Sequence, residues 1–444
     1  MRVSRFNWDG EDARALAGEI RAPQPPLLEV AGDVAEIIAE VAAGGDRALI
    51  DLERRFGGHE PAALRVPDDE LAAAPERVPE ELADALRLAA ANITRVAETE
   101  AMADLAVTLP QGHSVRLRSV PVAAVGAYVP GGRASYPSSA LMCALPAKVA
   151  GVERVAVSTP SGDDGAVPPS VLAACAIAGV DEVYAIGGVQ AVAALALGTG
   201  TVAPVDVVVG PGNRFVQEAK RQVMGLMVGI DGVAGPSELM VICDAGAEAG
   251  WLARDLCAQA EHGADGMLAV ASPDADALDR LEQATVSAAE KLRTVNDAPL
   301  ALVEVPSLDA GVELANAIAP EHLQLACEGA ERLAEGVRSA GCVFVGSLGA
   351  TAFGDYAAGS NHVLPTGGAG RFTGPLGPAV FRRRIATVEI TDEAARELAP
   401  AVATLARIEG FPVHAESVEA RAESAEARAE SAEARAETDE GERT

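Results

Sequence analysis

From about residue 138 onward, short apolar runs alternate with longer stretches in which apolar residues recur every three to four positions. The runs at 155–158, 182–186, 205–209, 239–243, 267–271, 300–305 and 342–345 predict strands. Between them, helical spacing predicts helices at 138–149, 169–178, 190–197, from Phe215 onward, and at 251–262, 275–294 and 308–318. Strand–helix alternation of this kind belongs to parallel, doubly wound sheets, and two such units in tandem fit the length. Upstream, helices are predicted at 30–42, 45–56 and 79–99, and strands at 114–117 and 122–129. Residues 1–22 read as a short arm ended by Pro23-Gln24-Pro25-Pro26, and the Gly/Pro-rich stretch 365–378 reads as a linker.

The helix predicted over 251–262 carries an inward stripe of Leu252, Leu256, Gln259 and His262, with Gly263 placed to end it. Gln259 and His262 share one face, so an amide and an imidazole emerge side by side. Such a pair is either a satisfied polar contact or half of a metal site.

Composition narrows the field. The 444 residues are 49% hydrophobic but only 3% aromatic, the profile of many short strands and close-packed helices in an α/β protein. A formal net charge of -30 argues against nucleic acid and anionic membrane surfaces as partners. No apolar run is long enough to span a bilayer, and the first residues lack the apolar segment of a signal peptide. The six cysteines form no CxxC pair and read as small core residues of a cytoplasmic protein. From about Ser417 to Glu437 the chain repeats a heptad close to Ser-Ala-Glu-Ala-Arg-Ala-Glu, with no Glu three or four residues from an Arg. Lacking those pairs and any large apolar seam, residues 419–444 read as a solvated, partly helical or disordered low-complexity tail.

Three loops have the character of phosphate-binding turns between strand and helix: Tyr128-Val129-Pro130-Gly131-Gly132, Gly187-Gly188-Val189-Gln190 and Gly210-Pro211-Gly212-Asn213. None is GxGxxG, and each is equally a tight turn in an α/β sheet. Of six histidines, His262, His322, His362 and His414 stand in polar contexts. Gln259, His262, Asp355 and His414 form a nitrogen and oxygen donor set suited to zinc. Glu321 and His322 are adjacent groups able to move protons.

Extended to their full length, these motifs resemble the histidinol dehydrogenase family. They are Tyr128-Val129-Pro130-Gly131-Gly132-Arg133, the run from Gly210 through Ile230-Asp231, Ala234-Gly235-Pro236-Ser237-Glu238, Gln259-Ala260-Glu261-His262, Pro320-Glu321-His322-Leu323, Gly359-Ser360-Asn361-His362, and Glu409-Gly410-Phe411 with His414. The resemblance covers nearly the whole chain to about Val418. It implies a zinc-dependent enzyme that oxidises L-histidinol to L-histidine in two steps with NAD. By carry-over, Gln259, His262, Asp355 and His414 bind zinc. The same four residues with Ser237, His322 and Glu409 contact the substrate, and Glu321 and His322 are catalytic. Tyr128, Gln190 and Asn213 line the NAD site.

The implied fold is two incomplete Rossmann-like parallel-sheet domains with small arms, in a homodimer that shares His414 between subunits. The corresponding division is an arm at 1–22, a first domain at 23–127 plus 237–376 with most of the zinc site, an NAD-binding domain at 128–236, a small domain at 377–418 and the tail. On the residues alone, two rivals stand: a relative acting on another alcohol, and a zinc hydrolase with Glu321 as base toward metal-bound water. The role of His362 is left open between support of the zinc site and a hydrogen-bonded loop residue.

Overall fold

The apolar runs become the inner strands of two parallel sheets in the computed structural model, which describes residues 1–24, 27–58, 60–100, 102–132, 134–226 and 228–441. In chain order the strands are β1 (Arg2–Asn7), β2 (Leu105–Thr108), β3 (Ser114–Pro121), β4 (Ala124–Tyr128), β5 (Arg154–Thr159), β6 (Glu182–Ala185) and β7 (Val207–Val209). They continue with β8 (Gly229–Ile230), β9 (Glu238–Cys243), β10 (Met267–Ser272), β11 (Pro299–Glu304), β12 (His322–Ala326), β13 (Cys342–Val345) and β14 (Arg382–Glu389).

The larger of two compact units, Met1–Ala101 with Pro121–Phe381, holds both parallel sheets. One has the order β6-β5-β4-β7-β8. The other runs β1-β11-β10-β9-β12-β13. In the first, β4 lies centrally with β5 and β6 on one side and β7 and β8 on the other; in the second, β9 takes that place with β10 and β11 on one side, β12 and β13 on the other, and β1 added beyond β11. The strand order therefore reverses between β4 and β7, and again between β9 and β12, the two switch points of doubly wound sheets. Each sheet is buried on both faces. Val125 and Val157 pack on one side of the first sheet, and Tyr184, Ile186 and Leu195 on the other. Met240 and Leu323 lie on one side of the second, Leu239 and Val241 on the other.

Three expectations change. Residues 1–22 are not a detached arm: β1 pairs in parallel with β11, and Leu16, Ala17 and Ile20 of the helix Ala13–Arg21 enter that sheet's core. β1 is polar (Arg2, Ser4, Arg5) because it is an edge strand held by backbone pairing, so it left no apolar run to read. Second, much of 23–127 packs on the five-stranded sheet rather than with β9–β13. The helix Ala31–Phe56, kinked at Gly45, sends Val34, Ile37, Leu49 and Leu52 against it, and the helix Glu80–Thr99 adds Leu86 and Ile93. An amphipathic stripe announces that a helix needs a sheet without saying which one.

The third change concerns the C-terminus. The smaller unit combines Met102–Val120 with the chain from Arg382 onward. It contains the three-stranded sheet β14-β3-β2 and the helices Asp392–Ile408 and Pro412–Gly441. The expected boundary at 418 falls inside the second helix. Its arginines and glutamates pair across to the first helix instead of along their own: Arg407 with Glu419 at 2.7 Å, Arg396 with Glu426 at 3.0 Å and Arg428 with Asp392 at 2.6 Å. Ala425 is fully buried between them. The repeat thus supplies a helix–helix contact through residue 428, and residues 430–433 beyond it are exposed. Removal of 431–444 is expected to leave thermal unfolding unchanged, whereas removal of 419–444 lowers the melting temperature by a few degrees, as calorimetry of the two truncations would read. Equal melting of both would return the whole segment to a free tail.

Candidate active site

The helix Leu308–Ile318 stops at Ala319, which takes a left-handed φ of +52°, and Pro320 forbids its continuation. The chain turns into β12, so His322 is the first residue of a buried strand. Gly341 lies so close to this turn that a Cβ would sit 2.6 Å from Glu321 O, and Cys342 N–H closes the ladder onto that oxygen at 2.8 Å.

Both members of the pair are fastened to Glu238 at the start of the adjacent β9. Its backbone N–H donates to Glu321 Oε2 at 2.8 Å, and its carbonyl accepts from His322 Nδ1 at 3.1 Å. The imidazole is thereby turned so that Nε2, buried and without a hydrogen-bond partner, faces Asp355 Oδ1 at 3.5 Å. Phe344 backs the ring at 5.9 Å between centroids. The Glu238 carboxylate is itself fully buried and accepts from Arg21, from Gln24 Nε2 at 3.2 Å and from Gly367 N at 3.1 Å. Sequence reading quoted Glu238 within a motif but gave it no role, because nothing local shows that residues 21 and 367 converge on it.

Electrostatics follow from the crowding of carboxylates around one ring. Burial pushes Glu321 up to about 7. Burial also disfavours a charged His322, but Glu321 at 3.6 Å and Asp355 outweigh it and lift the imidazole to about 9. A proton held by this pair near neutral pH therefore sits on His322. Asp355 would be raised by its own burial, yet His322 and the other histidines bring it below the ordinary aspartate range.

Gln259 lies at the end of the helix Ala249–Ala260, 3% exposed, with its side-chain amide nitrogen unpartnered. His262 follows in the next turn, and Gly263 takes the positive φ that breaks the helix. His262 Nδ1 lies 3.3 Å from Ser237 Oγ. His262 is exposed, yet desolvation by the surrounding protein lowers its pKa against the opposing pull of Asp355. Gln259, His262, Asp355, His322 and Ser237 thus belong to one cluster. An orphaned buried amide beside an imidazole and a carboxylate fits part of a zinc shell. Among the described residues no group of three or more His, Cys, Asp or Glu is placed to hold a metal ion by itself. His414 and Glu409 lie on the smaller unit, both exposed, where its two helices meet, with the His414 ring tilted against Phe411 at 5.3 Å between centroids.

His362 is committed at both nitrogens. Nδ1 donates to Asp355 O at 2.7 Å, and Nε2 meets Ser139 Oγ at 3.1 Å. It ties the Asp355 segment to the helix Pro137–Val149.

The three glycine loops gather at the C-terminal edge of the five-stranded sheet. Tyr128 OH accepts from Gly188 N at 3.1 Å, and Glu53 Oε1 accepts from both Gly187 N and Gln190 Nε2 at 2.8 Å. Glu53 was missed because one acid on an amphipathic helix carries no signal of its own. Asn213 caps the helix Arg214–Met224 by accepting from Phe215 and Val216. The Glu321–His322 cluster, in contrast, lies at the N-terminal ends of β9 and β12. The cysteines are all unpaired, and burial holds the thiols of Cys143, Cys175, Cys243, Cys257, Cys327 and Cys342 above their ordinary value, unlike a catalytic thiolate.

Comparison with known proteins places this geometry. The family model for histidinol dehydrogenase matches residues 22–422. The histidinol dehydrogenase of Zymomonas mobilis is 44% identical over 398 residues, covering 88% of this chain and 92% of the relative. That of Rhodospirillum rubrum is 44% identical over 433 residues, covering 95% and 98%. The crystal structure of histidinol dehydrogenase from Elizabethkingia anophelis superposes with a TM-score of 0.87 at 29% identity, over 96% of this chain and 98% of that one.

Proposed function

The chain belongs to the histidinol dehydrogenase family, an oxidoreductase family, and on that premise we propose that it oxidises L-histidinol through L-histidinal to L-histidine, the closing steps of histidine biosynthesis, using zinc and NAD. The observation that carries the reading is the His322 ring, oriented by Glu238 so that an unpartnered Nε2 opens toward Asp355.

Gln259, His262 and Asp355 would hold zinc together with His414. The metal would supply a Lewis-acid anchor for the amine and imidazole of histidinol, and NAD would supply the hydride acceptor. Desolvation lowers the pKa of His262 and so favours the neutral imidazole that a metal ligand requires. Ser237, beside His262, and Glu409 would contact the substrate. In its neutral form, the minority species at neutral pH because Glu321 and Asp355 lift the imidazole to about 9, His322 takes the proton of the alcohol in the first oxidation and that of the aldehyde hydrate in the second. Glu321, beside it, activates the water that hydrates the aldehyde. His362 is a positioning residue, keeping Asp355 in place through its backbone carbonyl. The loops of Tyr128, Gln190 and Asn213 would receive NAD at the β4/β7 switch point.

In the homodimer we propose, the exposed His414 and Glu409 complete the site of the partner subunit. Unpaired cysteines, four of the six buried, suit the cytoplasm, and no described helix is long and apolar enough to cross a membrane. The decisive measurement pairs metal analysis with product stoichiometry. It should give one zinc per chain, activity lost to a chelator and regained with zinc, and two NADH per histidinol consumed. A single NADH per histidinol would reduce the reading to an alcohol dehydrogenase, and full activity without metal would remove zinc from it.

A further inference from the structure

Beneath the loop Gly210-Pro211-Gly212-Asn213 lies an ion pair that neither the zinc cluster nor the proton transfers employ. Lys220 is 1% exposed, and its Nζ lies 2.5 Å from Asp231 Oδ1. That contact is ionic, since Asp231 Oδ1 has no hydrogen-bond partner, and Nζ also donates to Gly210 O at 2.9 Å. The other oxygen, Asp231 Oδ2, accepts from Gly210 N at 2.8 Å. We propose that Lys220 and Asp231 are a positioning pair for the nucleotide loop, gripping the backbone of Gly210 from both sides where the chain leaves β7.

Gly210 needs such a grip for a steric and a polar reason. Its φ is +117°, and a Cβ there would lie 2.2 Å from Tyr128 O, so the loop crosses directly over the end of β4. The residue is buried, yet it lies one position beyond the β4–β7 pairing, which ends at Val209. Its N–H and C=O must therefore find partners outside the sheet. Asp231 and Lys220 are those partners. An apolar pair of similar volume would pack the helix Arg214–Met224 against the sheet as well as, or better than, two desolvated charges. It would offer Gly210 neither donor nor acceptor. The charges are thus explained by the loop they hold, not by the packing they share. Gln217, on the same helix, extends the support by donating to Gly212 O at 3.4 Å and accepting from Ala234 N at 2.8 Å.

This inference rests on the reading of that loop as part of the NAD site. The test uses the zinc-loaded full-length enzyme and three variants: Lys220→Met, Asp231→Leu and the two combined. Melting temperature, the dissociation constants of NAD and of L-histidinol by calorimetry, and hydrogen exchange of the amides at 210–214 are measured on each. The single variants leave one charge buried alone and melt lower. The double variant should regain most of that loss. It should nevertheless bind NAD about tenfold or more weakly and exchange its 210–214 amides faster, with L-histidinol affinity within about twofold of the original. Wild-type NAD affinity in the double variant, with unchanged exchange, would make the pair structural filling and overturn the proposal. Failure of the unmodified enzyme to bind NAD would instead overturn the nucleotide reading. The double variant keeps the test open if a single variant does not fold.

Discussion

Replacing His322 by asparagine is expected to slow both oxidations by about 10²–10⁴-fold, the range that one general base supplies. The replacement keeps a side chain of similar reach but cannot accept a proton from either the alcohol or the hydrate. Glu321→Gln should behave differently. It preserves an acceptor for the Glu238 N–H, so the strand start stays in place, and the first oxidation should remain within about threefold of the original. The second oxidation needs water activated and should fall by about 10²-fold. Supplying L-histidinal directly separates the steps. The pH dependence has a definite sign. Burial lifts Glu321 to about 7, and only the ionised carboxylate acts as a base, so the second oxidation should accelerate as pH rises through neutrality. A Glu321→Gln enzyme equally slow in both steps would refute this division of labour.

Two inactive variants are expected to restore one another. His262 lies in the larger unit and His414 in the smaller, on a surface where Ile408, Phe411 and Val413 are also exposed. If His414 completes the partner's site, each mixed dimer of His262→Ala and His414→Ala chains contains one doubly defective site and one intact site. Random reassembly makes about half the dimers mixed, so roughly a quarter of wild-type activity should return on co-refolding. Mixed dimers shown to form without any recovery would assign His414 to its own chain.

Much of this protein is local and therefore legible. The inner strands of both sheets are continuous apolar runs because parallel strands are buried on two faces, and Leu308–Ile318 and Cys342–Val345 stand where their periodicity predicts. The motifs around Gln259, Glu321 and His362 were recognisable because each is a short run of residue types with its own chemistry. What the sequence could not disclose depends on meetings between distant segments. Polar β1 is a strand only because β11 is beside it, and alanine-rich 419–428 is a packed helix only because Asp392, Arg396 and Arg407 face it. Glu238, Glu53, Lys220 and Asp231 have no signature of their own, since a buried carboxylate or ammonium is defined by the backbone groups that fold around it. Chemistry was written in the order of residues, whereas the orientation and desolvation that tune it, down to which nitrogen of His322 is free, came only from strands brought side by side.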